Sequence, residues 1–303
     1  MTLNQLRTFL AVADTGSVRA AAQQLVVTQA AVSASLTALQ KSLGVPLLAP
    51  DGRGLRLTGA GQAYAGYVRR ILGLLDEAGL AATAAADPDR GELRMAAVTT
   101  AAEQIVPGLL GGFRSRQPRT GVRLEAGNRE RVRALLDRHQ VDLVLGGRPE
   151  PGWDVQVLAV RPHQLVVVAA PALAAGAPPG PALLPWLARQ AWLLREPGSG
   201  TRAATDALLT ELDITPPTLM VGSNGAIRGS ASVGLGVTLV SRDAVAAELA
   251  DGRLSELPVP GTPLHRDWYL VAHPGPLPPA GARLLEHVLS HGGFRPPTVN
   301  PEL

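Results

Sequence analysis

The sequence predicts an α/β protein that begins with a small, all-α domain, and three observations lead to this fold class. The first sixty residues show helical spacing of apolar residues, with a capping residue before each run. From Glu92 onward, short apolar runs of strand length alternate with helical patterns, which is typical of βαβ units. A single long helical pattern joins the two parts. With 303 residues, 46% of them apolar, the chain can form two or three domains with buried cores.

Composition excludes several classes of protein. No apolar run is long enough to cross a membrane, and the start MTLNQLRTFL lacks the basic leader and apolar core of an export signal. The absence of cysteine excludes disulfides and thiolate zinc sites. We therefore expect a cytoplasmic protein that makes no membrane contact.

Three helices are predicted ahead of Gly44. A capping side chain precedes each of them, and the capping residues are Thr2 with Gln5, Ser17, and Thr28. The second helix covers Val18–Leu25, and the third runs to about Leu43. One apolar stripe lines the third helix and consists of Val32, Leu36, Leu39 and Leu43.

The opposite face of the third helix carries small or amide side chains, namely Gln29, Ser33, Ser35, Thr37 and Gln40. Such groups read base edges in a DNA major groove, so a helix-turn-helix is predicted. The alternative is an ordinary amphipathic hairpin whose polar face meets water. The glycine-rich basic loop at 51–56 favours DNA binding, because it can form a two-stranded wing whose arginines meet phosphates. The expected DNA contacts are Thr28, Gln29, Ser33, Ser35, Arg53 and Arg56.

Positive charge is concentrated at the same end of the chain. The first 86 residues carry seven Arg or Lys against four Asp or Glu, a net charge of +3 that equals the +3 of the whole chain. A basic amino-terminal part followed by a part without net charge is consistent with nucleic-acid binding at the amino-terminal end. Double-stranded DNA is the expected macromolecular partner.

Three sequence runs resemble the amino-terminal domain of LysR-type transcriptional regulators: LNQLRTFLAVADTGSVRAAAQQL, TQAAVSASLTALQKSLGVPLL and GRGLRLTGAGQ. The resemblance covers about the first sixty residues. It implies a winged helix-turn-helix over residues 1–58 that binds operator DNA, in a homodimer or homotetramer. It also leaves contact with the transcription machinery open.

A long helix is predicted after the wing, because Thr58 can cap the run through Ala85. It would extend for roughly 40 Å. Its apolar edge consists of Val68, Leu72, Leu75 and either Ala78 or Gly79. This narrow edge suits a partner helix, although packing on its own domain is the alternative. The resemblance implies a dimerising linker over residues 59–90, ended by the proline and glycine of 87–91.

Strands and helices alternate in the remainder, residues 91–303. The predicted strands are Leu93–Val98, Val122–Ala126, Asp142–Leu145, Leu165–Ala170, Ala191–Leu194, Thr218–Val221, Val237–Val240 and Trp268–Ala272. The predicted helices are Ala101–Arg114, Arg129–Arg138, part of Ala182–Arg189, Thr201–Leu212, Ala226–Val233, Ala244–Ala250 and Pro279–His291. This pattern predicts two α/β subdomains.

The LysR resemblance implies that these subdomains form an effector domain like periplasmic solute-binding proteins, with two hinged halves. Subdomain I would comprise about 91–161 and 267–303, and subdomain II about 162–266. The chain would cross between them near Arg161 and again near Leu264–Asp267.

Several strand-to-helix junctions carry hydroxyl, amide or arginine groups. They are Thr99-Thr100, the Gly146-Gly147-Arg148 turn, the loop 195–202 and the loop 222–226. Because ligands in such sheets bind beyond the carboxyl ends of strands, near free N–H groups of helix starts, these junctions predict a small anionic effector. The expected contacts are Thr99, Thr100, Arg148, Arg195, Ser199, Thr201, Arg202 and Asn224. Any single junction is also explained by ordinary helix capping.

Four further runs resemble a narrower LysR subgroup: GNRERVRALLDRHQVDLVLGGRP, LLREPGSGTRAA, VGSNGAIRGSASVGLGVTLVS and DWYLV. That subgroup includes regulators of carbon-fixation operons and of related sulfur and nitrogen assimilation operons. The resemblance implies an effector among small phosphorylated or carboxylated metabolites.

Enzyme classes are not supported. Ser199 lies in Gly-Ser-Gly without the G-x-S-x-G spacing, and no Walker or dinucleotide fingerprint occurs. His287 and His291 are four residues apart but lack a third ligand, so solvated histidines are expected rather than a metal site. The remaining alternative is a solute-binding module without DNA function, which would leave the first 58 residues unexplained.

Overall fold

The computed structural model describes residues 1–52, 54–87 and 91–297. The chain divides into two compact units. The first comprises Met1–Thr83 together with Asp137–Gln140, and the second comprises Ala84–Leu136 together with Val141–Leu303.

The first unit contains three short helices, a β-hairpin and most of a long helix. These elements are α1 Leu3–Thr15, α2 Val18–Leu25, α3 Gln29–Leu43, β1 Leu48–Asp51, β2 Gly54–Leu57 and α4 Gly59–Ala86. The predicted caps are confirmed, because the hydroxyls of Thr2, Ser17 and Thr28 each accept a backbone N–H three residues later. Thr58 caps α4 in the same way through the N–H of Gly61, at 3.0 Å.

The core of the first unit differs from the predicted stripe at its end. Val32, Leu36 and Leu39 are buried, whereas Leu43 is 36% exposed. Gln40 does not join an outward polar face, because its Oε1 accepts the backbone N–H groups of Leu47, at 2.8 Å, and Leu48, at 3.2 Å. Gln40 therefore ties the end of α3 to the wing.

The apolar edge of α4 is also shifted from its predicted position. Val68 and Leu72 pack into the core of the first unit, so the alternative that the helix packs on its own domain holds at these two positions. The exposed apolar side chains of α4 are Tyr67 at 67%, Ile71 at 41%, Leu74 at 47% and Leu75 at 42%. An exposed apolar stripe is thus present on α4, and Leu75 and the exposed Ala78 of the predicted edge belong to it.

The second unit alternates strands and helices as predicted, with two additions. Its strands are β3 Glu92–Val98, β4 Gly121–Gly127, β5 Leu143–Gly146, β6 Gln156–Ala169, β7 Trp192–Leu194, β8 Thr218–Met220, β9 Thr238–Ser241, β10 Ser255–Leu257 and β11 Leu264–Ala272. Its helices are α5 Thr99–Gln104, α6 Val106–Arg116, α7 Arg129–Asp137, α8 Pro171–Ala174, α9 Leu183–Leu187, α10 Gly200–Glu211, α11 Asn224–Ser232, α12 Ala246–Ala250 and α13 Pro279–His291. Elements α8 and β10 are the additions.

The predicted helix Ala101–Arg114 is two helices that meet at Ile105. Pro107 lies in the first turn of α6, the part of a helix in which a missing N–H is tolerated, so the chain restarts a helix there. His287 on α13 is buried against Phe113 and stacks on His291, which corrects the expectation that it is solvated.

The main sheet is mixed rather than purely parallel. Its order is β10-β6-β11-β5-β3-β4, with β9 also paired to β6, while β7 and β8 form a separate parallel pair. Strands β3, β4 and β5 are parallel, but the long strands β6 and β11 run antiparallel to each other. They pass through Arg161 and Leu264–Asp267, near which the LysR resemblance implies that the chain crosses between the subdomains.

Helices cover both faces of the sheet. At the β3 end, α5, α6 and α13 pack on one face around Met95 and Leu270, and α7 packs on the other around Val144. At the β9 end, α9 and α10 pack on Leu165 and its neighbours. Among the described residues, no helix is long and apolar enough to cross a membrane, and no group of three or more His, Asp or Glu could hold a metal.

Candidate DNA-binding surface and effector pocket

The outward surface of α3 consists of two parallel rows of side chains. Gln29, Ser33, Thr37 and Lys41 are each exposed and lie four residues apart, so they form one polar row. Ala30, Ala34 and Ala38 are also exposed and form a second row beside it. The polar row offers hydrogen-bonding groups and the second row offers methyl groups, the two kinds of contact that base edges accept in a major groove.

The structure does not place Ser35 beside Ser33. The two side chains point about 160° apart around the helix, and Ser35 is half-buried while Ser33 is exposed. Thr28 is exposed at the start of α3, where its hydroxyl accepts the N–H of Ala31 at 3.1 Å. Of the six predicted DNA contacts, Thr28, Gln29 and Ser33 share the start of the outward surface.

The wing packs against the turn between α1 and α2. The N–H of Leu55 donates to the carbonyl of Gly16 at 2.8 Å. A Cβ at position 54 would lie 2.9 Å from the same oxygen, so the close approach requires glycine there. Arg56 is exposed on β2, opposite Ala49, and can meet a phosphate. The predicted contact Arg53 lies outside the described residues.

In the second unit, three of the predicted effector contacts form one buried hydrogen-bond network. The amide of Asn224 donates to the hydroxyl of Thr100 at 3.1 Å, and its oxygen accepts from Arg195. The same amide donates to Glu103 at 3.0 Å, and the guanidinium of Arg195 also holds Glu196 through two bonds of 2.7 and 2.8 Å. This network joins the starts of α5 and α11 to the end of β7.

The groups of this network already satisfy one another. The hydrogen bonds from Arg195 lower the pKa of Glu196, because they stabilise its carboxylate form. Thr100, Arg195 and Asn224 are almost completely buried. An anion placed here would compete with these internal hydrogen bonds, whereas a neighbouring pocket is open.

A pocket of about 560 Å³ lies between the starts of α7 and α10. Its lining consists of Arg129, Glu130, Arg133, Glu150, Pro197, Gly198, Ser199, Gly200, Arg202, Ala203 and Asp206. Asn128 caps α7 by accepting the N–H of Arg131 at 2.9 Å, and Ser199 caps α10 by accepting that of Arg202 at 3.5 Å. The positive ends of two helices and three arginines therefore surround one space.

The arginines of this pocket are held by carboxylates. Arg129 lies 3.3 Å from Glu150, and Arg133 pairs with the same carboxylate. Arg202 lies 2.8 Å from Asp206, one helical turn further along α10. The lining thus contains three arginines and three carboxylates, namely Glu130, Glu150 and Asp206, so its formal charges balance.

The remaining predicted effector contacts, Thr99, Thr201 and Arg148, do not line the pocket. Thr99 donates to the carbonyl of Gly127 at 3.2 Å, and Thr201 is half-buried in the first turn of α10. The side chain of Arg148 is exposed, while its carbonyl accepts from Arg129. Ser199 and Arg202 are the predicted residues that line the pocket.

The sequence analysis did not predict the residues that α7 contributes to the pocket lining. Arg129 and Arg133 follow a strand directly and lie four residues apart on a helix start, so the junction rule used for α5, α10 and α11 applied to them as well. Glu150 could not be found in this way, because it lies in a loop and reaches the pocket only in the folded chain.

Comparison with known proteins identifies both units. Residues 3–62 match the family model described as the bacterial regulatory helix-turn-helix protein, lysR family, and residues 86–293 match the LysR substrate binding domain. These ranges contain the α3 surface, the wing and the α7–α10 pocket.

Three proteins illustrate the similarity. The HTH-type transcriptional regulator CbbR of Xanthobacter flavus is 38% identical over 96% of this chain and 88% of that protein. The crystal structure of full-length CbnR with its target DNA has a TM-score of 0.69 and 25% identity, over 96% of this chain and 99% of that one. The regulatory domain of CcmR from Synechocystis PCC6803, in complex with 2-PG, has a TM-score of 0.58 and 29% identity, over 67% of this chain and 95% of that one.

These similarities extend over nearly the whole chain and connect the helix-turn-helix to a ligand-binding domain. The alternative of a solute-binding module without DNA function is not supported, because the DNA-binding part of the family is present. The proteins that it resembles are named as regulators rather than enzymes. The chain belongs to the LysR family of transcriptional regulators.

Proposed function

We propose that this regulator binds operator DNA through the outward surface of α3 and the wing, and that a small anionic metabolite in the α7–α10 pocket changes that binding. The pocket carries the proposal, because three arginines and two helix starts surround one open space. Guanidinium groups and helix N-termini stabilise negative charge.

On the DNA side, we assign base contacts to Thr28, Gln29 and Ser33, and phosphate contacts to Arg53 and Arg56. The exposure of the polar row on α3 supports the first assignment, and the exposed position of Arg56 on the wing supports the second. Ser35, which is half-buried on the other flank of the helix, would affect DNA only indirectly.

On the effector side, we assign the first contacts of the anion to Arg129, Arg133, Ser199 and Arg202. The expected ligand class is a short phosphorylated or carboxylated metabolite. The CcmR regulatory domain holds 2-PG in its solved structure, which supports this class for a related domain. The Thr100–Asn224–Arg195 network stays a second predicted contact region, which the anion would reach only by displacing internal hydrogen bonds.

We also propose self-association through α4. Tyr67, Ile71, Leu74 and Leu75 form an exposed apolar stripe that a second copy of the same helix would bury. A homodimer places two reading helices on one operator, and two dimers would give a homotetramer. An operator-binding regulator acts where DNA is, so we place the protein in the cytoplasm.

Calorimetry tests the effector assignment. Phosphorylated sugars, short carboxylates and sulfur or nitrogen intermediates are titrated into the full-length protein and into three variants. Arg129→Ala and Arg202→Ala should each weaken anion binding about ten- to a hundredfold, because each removes a charge-assisted hydrogen bond. Thr100→Val should leave the affinity unchanged if the anion lies in the pocket. Binding of a neutral or cationic effector, or equal affinity in all variants, would refute the proposal.

A further inference from the structure

Glu150 occupies the position in the α7–α10 pocket where a bound anion would be expected. Its carboxylate pairs with Arg129 at 3.3 Å and also with Arg133. Both arginines come from α7 and are one helical turn apart, so a single carboxylate spans them as an oxyanion ligand would.

Further contacts of Arg129 and Arg133 hold the loop that carries Glu150 against α7. Arg129 donates to the carbonyl of Arg148, and the guanidinium of Arg133 lies over the ring of Trp153, 5.4 Å from its centre. The N–H of Trp153 in turn donates to the carbonyl of Glu150 at 3.1 Å. A change at Glu150 is therefore transmitted directly to both the arginines and the loop.

We infer that Glu150 is an internal competitor of the anionic effector, and that the effector releases the loop 148–153 from α7 by displacing this carboxylate. The inference rests on the proposed anion pocket. Two carboxylate-like groups cannot use the same guanidinium edges at once, and like charges in one pocket repel each other. Effector binding and the Glu150 contacts are thus mutually exclusive.

Glu130 provides a matched control. It lines the same pocket and lies beside Arg129 in the first turn of α7. Among the described residues Glu130 forms no ion pair, since Arg129 and Arg133 pair with Glu150. Glu130→Gln and Glu150→Gln therefore remove the same charge from the same pocket, but only the second breaks the contacts to Arg129 and Arg133.

The solvent exposure of the ion-paired side chains sets the size of the expected change in anion affinity. The side chains of Arg129, Arg133 and Glu150 are 44%, 39% and 47% exposed, so each ion pair is weakened by water. Partly exposed pairs of this kind alter an equilibrium by up to about fivefold each. We expect Glu150→Gln to bind an anion about three- to tenfold more tightly than Glu130→Gln.

Phosphate titration by calorimetry of the full-length protein tests this inference at fixed ionic strength. The wild type, Glu130→Gln, Glu150→Gln and Arg129→Ala are compared, with inorganic phosphate as the probe. Trp153 fluorescence, isolated by subtracting the signal of Trp153→Phe, reports whether the loop has left Arg133. Glu150→Gln without phosphate should give the emission that the wild type gives with saturating phosphate, while Glu130→Gln should give that of the free wild type.

The outcomes separate this inference from the proposed pocket. If phosphate binding depends on Arg129 but Glu150→Gln and Glu130→Gln have equal affinities, Glu150 contributes only its charge and the competitor inference is wrong. Weaker binding by Glu150→Gln would contradict it as well. If the wild type and Arg129→Ala bind phosphate equally or not at all, the anion pocket itself is refuted, and the inference is refuted with it.

Discussion

Side chains on the α3 surface and on the wing should affect DNA binding in different ways. Gln29→Ala should cost about 1–3 kcal/mol at the cognate site and little on other sequences, because an exposed amide at a helix start reads a base edge. Arg56→Ala should weaken binding to all DNA sequences alike, because it removes a phosphate contact. The slope of log K against log[salt] should become shallower by about one unit. Fluorescence anisotropy with cognate and unrelated duplexes at several salt concentrations measures both effects.

Ser35→Ala is the control for this comparison, because Ser35 is half-buried away from Ser33. It should leave cognate affinity unchanged. A loss with Ser35→Ala that equals the loss with Gln29→Ala would show that the reading surface of α3 has been misplaced.

His163 makes the second unit sensitive to acid. Its ring stacks on Trp268 with centres 4.2 Å apart, and among the described residues its Nδ1 has no hydrogen-bond partner. Burial lowers the pKa of His163 from 6.5 to about 4. The unfolded chain therefore takes up a proton at a higher pH than the folded one.

The resulting stabilisation is present above pH 6.5 and is lost as the pH falls toward 4, with a slope of up to about 1.4 kcal/mol per pH unit. His163→Phe keeps a ring against Trp268 but removes the titration, so its free energy of unfolding should fall less between pH 7 and pH 5. Urea unfolding followed by tryptophan fluorescence at the two pH values measures this difference, since all four tryptophans lie in the second unit. Equal losses in both proteins would exclude His163 as the source.

Helix α4 requires glycine at position 73, as it does at position 61, because backbone from another segment lies against it. A Cβ at position 73 would lie 1.9 Å from the carbonyl oxygen of Arg138 and 2.9 Å from the Cβ of His139, so residues 137–140 pack directly on the helix backbone. His139 also binds Glu77 through a 2.8 Å contact between Nδ1 and a carboxylate oxygen. The helix accepts this segment because position 73 has no side chain.

Gly73→Ala should destabilise the first unit by about 1–3 kcal/mol, because the added methyl group must displace backbone. Gly66→Ala is the matched control on the same helix, where nothing lies within 4 Å. It should stabilise the unit by about 0.5–1 kcal/mol through helix propensity. Thermal unfolding followed by circular dichroism gives both values, and hydrogen exchange at 137–140 should increase in Gly73→Ala alone. Similar shifts in the two variants would mean that the close contact does not constrain α4.

Local signals explain why many elements could be predicted. The hydroxyl caps at Thr2, Ser17, Thr28 and Thr58 act on a backbone N–H three residues later, so the sequence alone contains both partners. Strand β6 was predicted only from Leu165 onward. Its first half contains Arg161-Pro162-His163, a polar run that pairs with β11 through contacts more than a hundred residues away in sequence.

The site could be predicted only in part for the same physical reason. Helix periodicity identifies faces, but it does not show where a neighbouring element covers them, which is why Gln40 and Leu43 were assigned to the wrong environments. The polar residues at strand-to-helix junctions predicted Ser199 and Arg202 as contacts. The pocket is also lined by Glu150, whose ion-pair partners lie on α7.

The exposed stripe on α4 predicts the assembly state of the protein. Leu74→Asp places a charge in the expected helix pair, and burying an unpaired charge is costly enough to favour dissociation. Sedimentation should then show a smaller species than for the wild type. Gln62→Asp, at an exposed polar position of the same helix, should leave the mass unchanged. A wild-type mass for Leu74→Asp would show that the stripe does not mediate assembly.

An anion in the α7–α10 pocket is expected to change operator affinity. Anisotropy of labelled DNA from upstream of the protein's own gene, with and without the anion identified by calorimetry, tests it most directly in wild type and Arg129→Ala. Because a ligand shifts an equilibrium only by its differential affinity for two states, we expect a change in DNA Kd of about fivefold or more in the wild type and none in Arg129→Ala. An anion that binds the wild-type pocket but leaves the DNA Kd unchanged would contradict the claim.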